Sequence, residues 1–136
     1  MGSAPRRRSG ATGSRVGNAA RVALGAIRLF TGTLGLVAPA VSARRTGAAA
    51  DATDPTHYPW RLMGIRTAII GAELLSRDPG LREKAVRIAL PIHATDTVSA
   101  ALGGLLGEVP KRTSISLTLL SGTNTVLALL ARRTLR

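Results

Sequence analysis

The sequence contains no cysteine, which excludes disulfides, thiolate metal ligands, cysteine nucleophiles and cysteine redox relays. Aromatic side chains are also scarce, because Phe30, Tyr58 and Trp60 are the only three among 136 residues. A water-soluble core normally contains more aromatic bulk. Acidic residues are few, 7 against 19 lysines and arginines, so the formal net charge is +12. Walker loops, GxGxxG fingerprints, serine nucleophile elbows and CxxC pairs are absent too, which removes the common motifs of soluble enzymes.

Small and aliphatic residues make up most of what is present. The chain is 45% hydrophobic, with mean hydropathy +0.18, and it is rich in Ala, Gly, Ser, Thr and Leu. Helices that pack closely inside a bilayer use these residues, because small side chains let backbones approach. The composition therefore predicts an integral protein of the cell membrane, with membrane lipids as its first partners.

Hydropathy divides the chain into a tail and a membrane domain. Residues 1–18 are basic and lack apolar periodicity, which predicts a disordered tail. Residues 19–136 contain four apolar segments of about the ~20 residues that a helix needs to cross a bilayer. These spans are residues 19–43, 60–76, 85–106 and 114–131. The polar connections are a loop at 44–59 and short turns at 77–84 and 107–113, so the predicted fold is all-α, a four-helix transmembrane up-down bundle.

Residues 1–21 followed by apolar residues up to 43 also imitate a cleavable signal peptide. Arg28 lies inside the apolar segment and argues against cleavage. The basic residues Arg6, Arg7 and Arg8 are expected to meet anionic lipid headgroups rather than nucleic acid.

Each predicted span carries a stripe of small or polar residues at helical spacing, which we assign to the bundle interior. The stripes are Gly25, Arg28, Gly32, Gly35 and Pro39; Arg66, Ile70, Glu73 and Arg77; Ala89, His93, Asp96, Ala100, Gly103 and Gly107; and Ser114, Thr118, Ser121, Thr125 and Ala128. Within them, Gly35 and Gly103 are expected to face the backbones of neighbouring helices.

The stripes place five ionisable residues in one interior, namely Arg28, Arg66, Glu73, His93 and Asp96. A carboxylate midway along a span needs a partner, so Asp96 is expected to pair with Arg66 or Arg28. Two interpretations are open: an ion-pair network that fixes the register of the helices, or a polar pocket for a lipid-soluble ligand or a proton path. His93 and Asp96 alone are too few ligands for a metal, and neither a metal site nor a cofactor is predicted.

The order of these residues resembles a known group of proteins. The first span contains Arg28 with Gly35 and Pro39, the second contains Arg61-x-x-Gly64-x-Arg66 with Gly71, and the third contains His93 and Asp96. This order resembles small actinobacterial membrane proteins that are distantly DoxX-like. The resemblance covers about residues 19–131. It implies a four-helix integral membrane fold and no particular activity.

Three classes of function remain. The leading hypothesis is a membrane protein that is either an accessory subunit of a larger membrane complex or a binder of a lipid or small lipid-soluble molecule. The alternative is a membrane-embedded oxidoreductase using a lipid-soluble quinone, with Arg66 binding it and His93 and Asp96 moving protons. The third is a soluble basic helical protein that binds nucleic acid.

The distribution of basic residues predicts the orientation of the spans. Of the 19 lysines and arginines, eleven lie on one side of the membrane, in the tail with Arg21, in the turn between the second and third spans and at the C-terminus. Five lie on the opposite side. Both termini are therefore expected in the cytoplasm. Reporter fusions after Ala49 and Gly107 should report the outer side, and fusions after Pro79 and Arg136 the cytoplasm. An outer-side signal at Pro79 would contradict this assignment.

Overall fold

The computed structural model describes residues 7–47 and 57–135, and all statements on the fold refer to them. Within these ranges the chain forms five α-helices and one short 3-10 helix, with no strand. They are α1 (Arg7–Val37), α2 (Pro39–Thr46), α3 (His57–Leu75), α4 (Pro79–Leu105), α5 (Lys111–Ala131) and the 3-10 helix Arg132–Leu135. The prediction of an all-α protein is confirmed.

The first helix is longer than predicted at its N-terminus. It begins at Arg7, so residues 7–18 belong to α1 instead of a separate tail, and residues 1–6 lie outside the described part. Residues 7–18 contain three glycines and one alanine, so helix propensity does not explain this extension. Tertiary contact supports it, because Gly17 packs closely against Arg133 and Thr134 near the C-terminus.

A proline divides the predicted first span into two helices. α1 ends at Val37, and Pro39 lies in the first turn of α2, where its missing N–H is not needed. α2 ends at Gly47, whose positive φ of 85° lets its N–H bond to the Arg44 carbonyl at 3.1 Å. The predicted loop 44–59 is thus helical at both ends, and residues 48–56 lie outside the described part.

The predicted turn at 77–84 is wrong, because α4 already begins at Pro79. Asp78 caps this helix, and its Oδ1 accepts from the N–H of Gly80 at 2.7 Å and of Leu81 at 3.1 Å. An Asp followed by Pro is a strong helix start, because the carboxylate satisfies free N–H groups and proline has the required φ. The charged residues that indicated a turn form the exposed first turns of the helix.

Four long helices, α1, α3, α4 and α5, contact one another in a ring in that order. Neighbours run antiparallel where contacts define the direction. Gly25 lies against Leu75 and Gly32 against Ala68 at the α1–α3 contact. Thr97 bonds to Thr125, and the Ser114 hydroxyl donates to the Ala100 carbonyl, at the α4–α5 contact. The helices thus form two pairs that surround a common interior.

The α1–α3 contact is made by glycine backbones. A Cβ atom added at Gly32 would lie 2.3 Å from the Ala68 nitrogen, and one added at Gly64 would lie 2.5 Å from the Leu36 nitrogen. A Cβ at Gly71 would come equally close to the Leu29 nitrogen, at 2.5 Å. No side chain fits at such distances, so the glycines allow the two backbones to touch.

This contact confirms the predicted stripe of α1 and corrects that of α3. All five members of the first stripe are buried, four of them in α1 and Pro39 in α2. On α3 the buried residues are Gly64, Ile70, Gly71 and Leu74, whereas Arg66 is exposed. The glycines therefore determine which face of α3 turns towards α1. The charged residues of the predicted stripe do not determine it.

The two glycines expected to face neighbouring backbones behave differently. Gly35 does so, because its Cβ would lie 3.2 Å from the Trp60 carbonyl oxygen. The expectation for Gly103 is wrong, since its Cβ would meet only side chains, those of Val109 at an ordinary 3.4 Å and Glu108 at 4.0 Å. Gly103 instead anchors the turn after α4, where its carbonyl accepts from the N–H of Glu108 at 2.9 Å.

Large apolar side chains lie on the outside of the structure. Six of the ten buried hydrophobic residues are alanines, whereas Phe30 is 60% exposed, Leu105 83% and Leu119 67%. Two segments, Gly13–Val37 and Lys111–Leu135, are long and apolar enough to cross a membrane. The interior is consequently rich in small residues, with Leu24, Ile70, Leu74 and Val86 as its large apolar members, and many large residues lie on the surface.

We predict that Gly64→Ala destabilises the protein and that Gly122→Ala does not. The added methyl group at Gly64 meets backbone at 2.5 Å, whereas at Gly122 the nearest atom is a Thr97 methyl at 3.9 Å. Overpacking should lower the free energy of unfolding by about 1–3 kcal/mol at Gly64. The better helix propensity of alanine should leave Gly122→Ala unchanged or more stable by about 0.5–1 kcal/mol. Thermal melting of both variants in one detergent, followed by circular dichroism, measures this, and equal melting temperatures would refute the close contact.

Candidate functional site

A half-open cavity of about 320 Å³ lies between the helix pairs and is lined by residues from all five α-helices. It extends from the middle of α1, α4 and α5 towards α2 and the first turn of α3. Its polar lining includes Arg28, His93, Asp96, Ser121 and Asn124. Its apolar lining includes Leu34, Trp60, Met63, Leu117 and Leu120. A cavity with a few polar groups on a mostly apolar wall is typical of a small-molecule site.

Arg28 and His93 meet at the inner end of this cavity. Both are buried, with exposures of 4% and 1%. The Arg28 Nη1 atom lies 3.1 Å from His93 Nδ1 and 3.2 Å from Nε2. A guanidinium group has only donors, so the imidazole nitrogen that faces it must be an acceptor. In this arrangement His93 is neutral and accepts one hydrogen bond from the cation.

Asp96 lines the same cavity but forms no ion pair there. The two ion pairs among the described residues are Glu73 with Lys84 and Glu83 with Arg87, both within 4.0 Å. The expected pairing of Asp96 with Arg66 or Arg28 is therefore wrong in the described structure. Asp96 lies one turn after His93 on α4, and at that position it shares the cavity with Arg28 without reaching ion-pair distance.

Arg66 and Glu73 lie outside the cavity. Arg66 is exposed on α3. Glu73 has a 20% exposed side chain and pairs with Lys84 at 3.7 Å, near the turn between α3 and α4. The structure thus brings together Arg28, His93 and Asp96, and it separates Arg66 and Glu73 from them. The glycine contact of α3 with α1 is the reason, because it turns Gly64 and Gly71 inward and Arg66 away.

Asn124 is a cavity residue that the stripes did not include. It is 5% exposed, and its Oδ1 atom has no hydrogen-bond partner among the described residues. The sequence does contain a signal for it, since Asn124 is the only asparagine within the four predicted spans. An amide in such a segment usually serves contacts between helices or with a ligand.

The cavity therefore contains two buried polar atoms without partners in the described structure, Arg28 Nε and Asn124 Oδ1. Leaving a buried donor or acceptor unpaired costs about 1–3 kcal/mol each. Contacts within the described residues do not offset this cost. No group of three His, Asp or Glu side chains in residues 7–47 and 57–135 could hold a metal ion.

No protein-family model, curated protein or solved structure matches this sequence. The function is therefore inferred from the geometry of the cavity and from the residues on the outer surface. The resemblance to DoxX-like proteins stays a prediction.

We predict that Asp96→Asn is tolerated. Breaking a buried ion pair costs about 3–5 kcal/mol, whereas a carboxylate without such a pair should cost less than about 1 kcal/mol when it is neutralised. Unfolding of the purified variant in detergent measures the difference, with Glu73→Gln as the control for loss of a surface pair. A loss of about 3 kcal/mol that Arg28→Met restores in the double variant would show an ion pair instead.

Proposed function

We propose that this chain is an integral protein of the cell membrane in which α1, α3, α4 and α5 form a transmembrane up-down bundle with cytoplasmic termini. Its function is to bind a lipid or small lipid-soluble molecule in the interior cavity, or to serve as an accessory subunit of a membrane complex. The four-helix fold implied by the DoxX-like resemblance is part of this proposal. The observation that carries it is the inverted distribution of large apolar and small residues.

The outer surface supports placement in lipid. Twenty-one large hydrophobic residues are exposed in the described structure, on every long helix. In water such a surface would drive association, because monomeric soluble proteins rarely expose apolar patches larger than a few hundred Å². Hydrocarbon removes this penalty, and it also explains an interior in which small residues allow close packing.

Helix lengths are compatible with the thickness of a bilayer. α3 has 19 residues, which corresponds to about 28 Å at 1.5 Å per residue, close to the ~30 Å of the hydrocarbon core. In α4 the charged residues Arg82, Glu83, Lys84 and Arg87 lie in the first turns. The remaining residues 88–105 contain His93 and Asp96 as their ionisable groups, and both face the cavity.

Arg66 supports the accessory-subunit form of the proposal. It lies halfway along α3 on the exposed face. An arginine at the centre of a span costs about 2.5–3.5 kcal/mol unless its side chain reaches the interface. A partner membrane protein that brings a carboxylate to this face would remove that cost.

The second candidate is a quinone-dependent oxidoreductase in the membrane. The presence of His93 and Asp96 in one cavity favours it, because both can exchange protons. In that case Arg28, which lines the cavity, takes the binding role that the sequence assigned to Arg66. A quinone absorbance band in the protein purified from its native membrane, lost in His93→Gln, would favour this candidate.

Membrane fractionation tests the placement in lipid. The protein should stay in the membrane pellet after washing with high salt and with alkaline carbonate, and it should be extracted only by detergent, because apolar contacts with hydrocarbon do not depend on salt. Release into the supernatant by high salt would show a basic peripheral or nucleic-acid-binding protein.

A further inference from the structure

The buried Arg28 guanidinium lines the cavity and has donors without a hydrogen-bond partner among the described residues. Nη1 faces His93, Nε has no partner among the described residues, and Nη2 makes no hydrogen bond to them. Nε and Nη2 form a planar edge with two parallel donors. This edge matches the two oxygens of a carboxylate, which arginine binds in a bidentate manner.

The charges around the cavity favour a single negative charge on the ligand. Two guanidinium groups, Arg28 and Arg45, and one carboxylate, Asp96, line it. His93 is neutral when it accepts from Arg28. One positive charge is therefore in excess, and Asp96 forms no ion pair with Arg28 in the described structure. A monoanion would neutralise the cavity.

Asn124 is a second buried polar residue of the same cavity. Its buried amide lines the cavity, and its Oδ1 is unpaired. The two ends of an asparagine amide can exchange places by a flip. The amide can thus donate to a carboxylate oxygen or accept from the hydroxyl of the protonated acid. Both forms of a carboxylic acid are accommodated.

Most of the remaining cavity surface is apolar. Leu34, Met63, Leu117 and Leu120 form much of its wall, and its volume is about 320 Å³. This is at the small end of the roughly 300–1,000 Å³ that is usual for ligand pockets. We propose that the ligand is a single-chain amphiphile with a terminal carboxylate, such as a long-chain fatty acid, held by Arg28 and Asn124. This inference rests on the proposed binding function of the cavity.

Trp60 provides a direct readout, because it is the only tryptophan of the chain and lines the cavity. The purified full-length protein in lipid nanodiscs is titrated with a brominated long-chain fatty acid, which quenches tryptophan on contact. We expect saturable quenching that the unbrominated acid reverses. Arg28→Met should weaken binding at least about tenfold, the effect of losing a charge-assisted hydrogen bond.

Two further variants are titrated in the same way as Arg28→Met. Arg66→Met removes the same charge from an exposed position and should leave the affinity unchanged. Arg28→Lys keeps the charge but loses the two-donor edge, and it should weaken binding as well, since an ammonium group binds as a point charge. Equal affinities of the unmodified protein and the three variants for the brominated acid would overturn the proposal.

Comparison of ligands on the unmodified protein does not depend on whether the variants fold. The brominated alcohol of the same chain length should bind at least about tenfold more weakly than the acid. Equal binding of alcohol and acid would overturn the carboxylate while leaving the cavity as a binding site. Tighter binding of a single-chain phosphodiester would assign the site to a lipid phosphate instead. Binding of none of the three would overturn the inference and the binder form of the proposed function, whereas the membrane placement is decided separately by fractionation.

Discussion

Direct contact between the backbones of α1 and α3 determines the rest of the arrangement. At Gly32, Gly64 and Gly71 there is no space for even a methyl group, so the rotation of both helices about their axes is fixed. On α1 this rotation directs Arg28, one turn before Gly32, into the space between the helix pairs, where it meets His93. On α3 it directs Arg66 to the outside. The composition of the cavity is thus a consequence of the glycine contact.

The second constraint is that large apolar groups form only part of the buried interior. Alanine dominates the buried hydrophobic residues, and hydroxyl groups link α4 to α5, with Thr97 bonded to Thr125 at 3.1 Å. In lipid, close packing and hydrogen bonds between helices provide the stabilisation that hydrophobic burial provides in water. Such an interior tolerates a polar cavity. A buried arginine without a carboxylate partner is costly for folding, which is why we connect it to binding.

The sequence predicted the features that depend on local pattern. The all-α class, the buried stripe of α1 and the inward positions of His93 and Asp96 follow from composition and helical spacing. The rotation of α3 could not be read from its charges, because Arg66 and Glu73 share a face with each other but not with Gly64 and Gly71. That face is chosen by contact with α1, which is tertiary information. Two further features do have signals in the sequence. The Asp78-Pro79 pair indicates the start of α4, and the single asparagine within the predicted spans indicates a buried polar position at Asn124.

The central claim, that the large apolar surface faces hydrocarbon, is tested most directly by spin labels in a lipid bilayer. The chain has no cysteine, so Leu119→Cys and Val126→Cys each provide a single labelling site, and both positions are exposed on α5. The account predicts that labels there are relaxed by oxygen, which concentrates in hydrocarbon, and are protected from a water-soluble relaxing agent. Stronger relaxation by the water-soluble agent at both positions would contradict it.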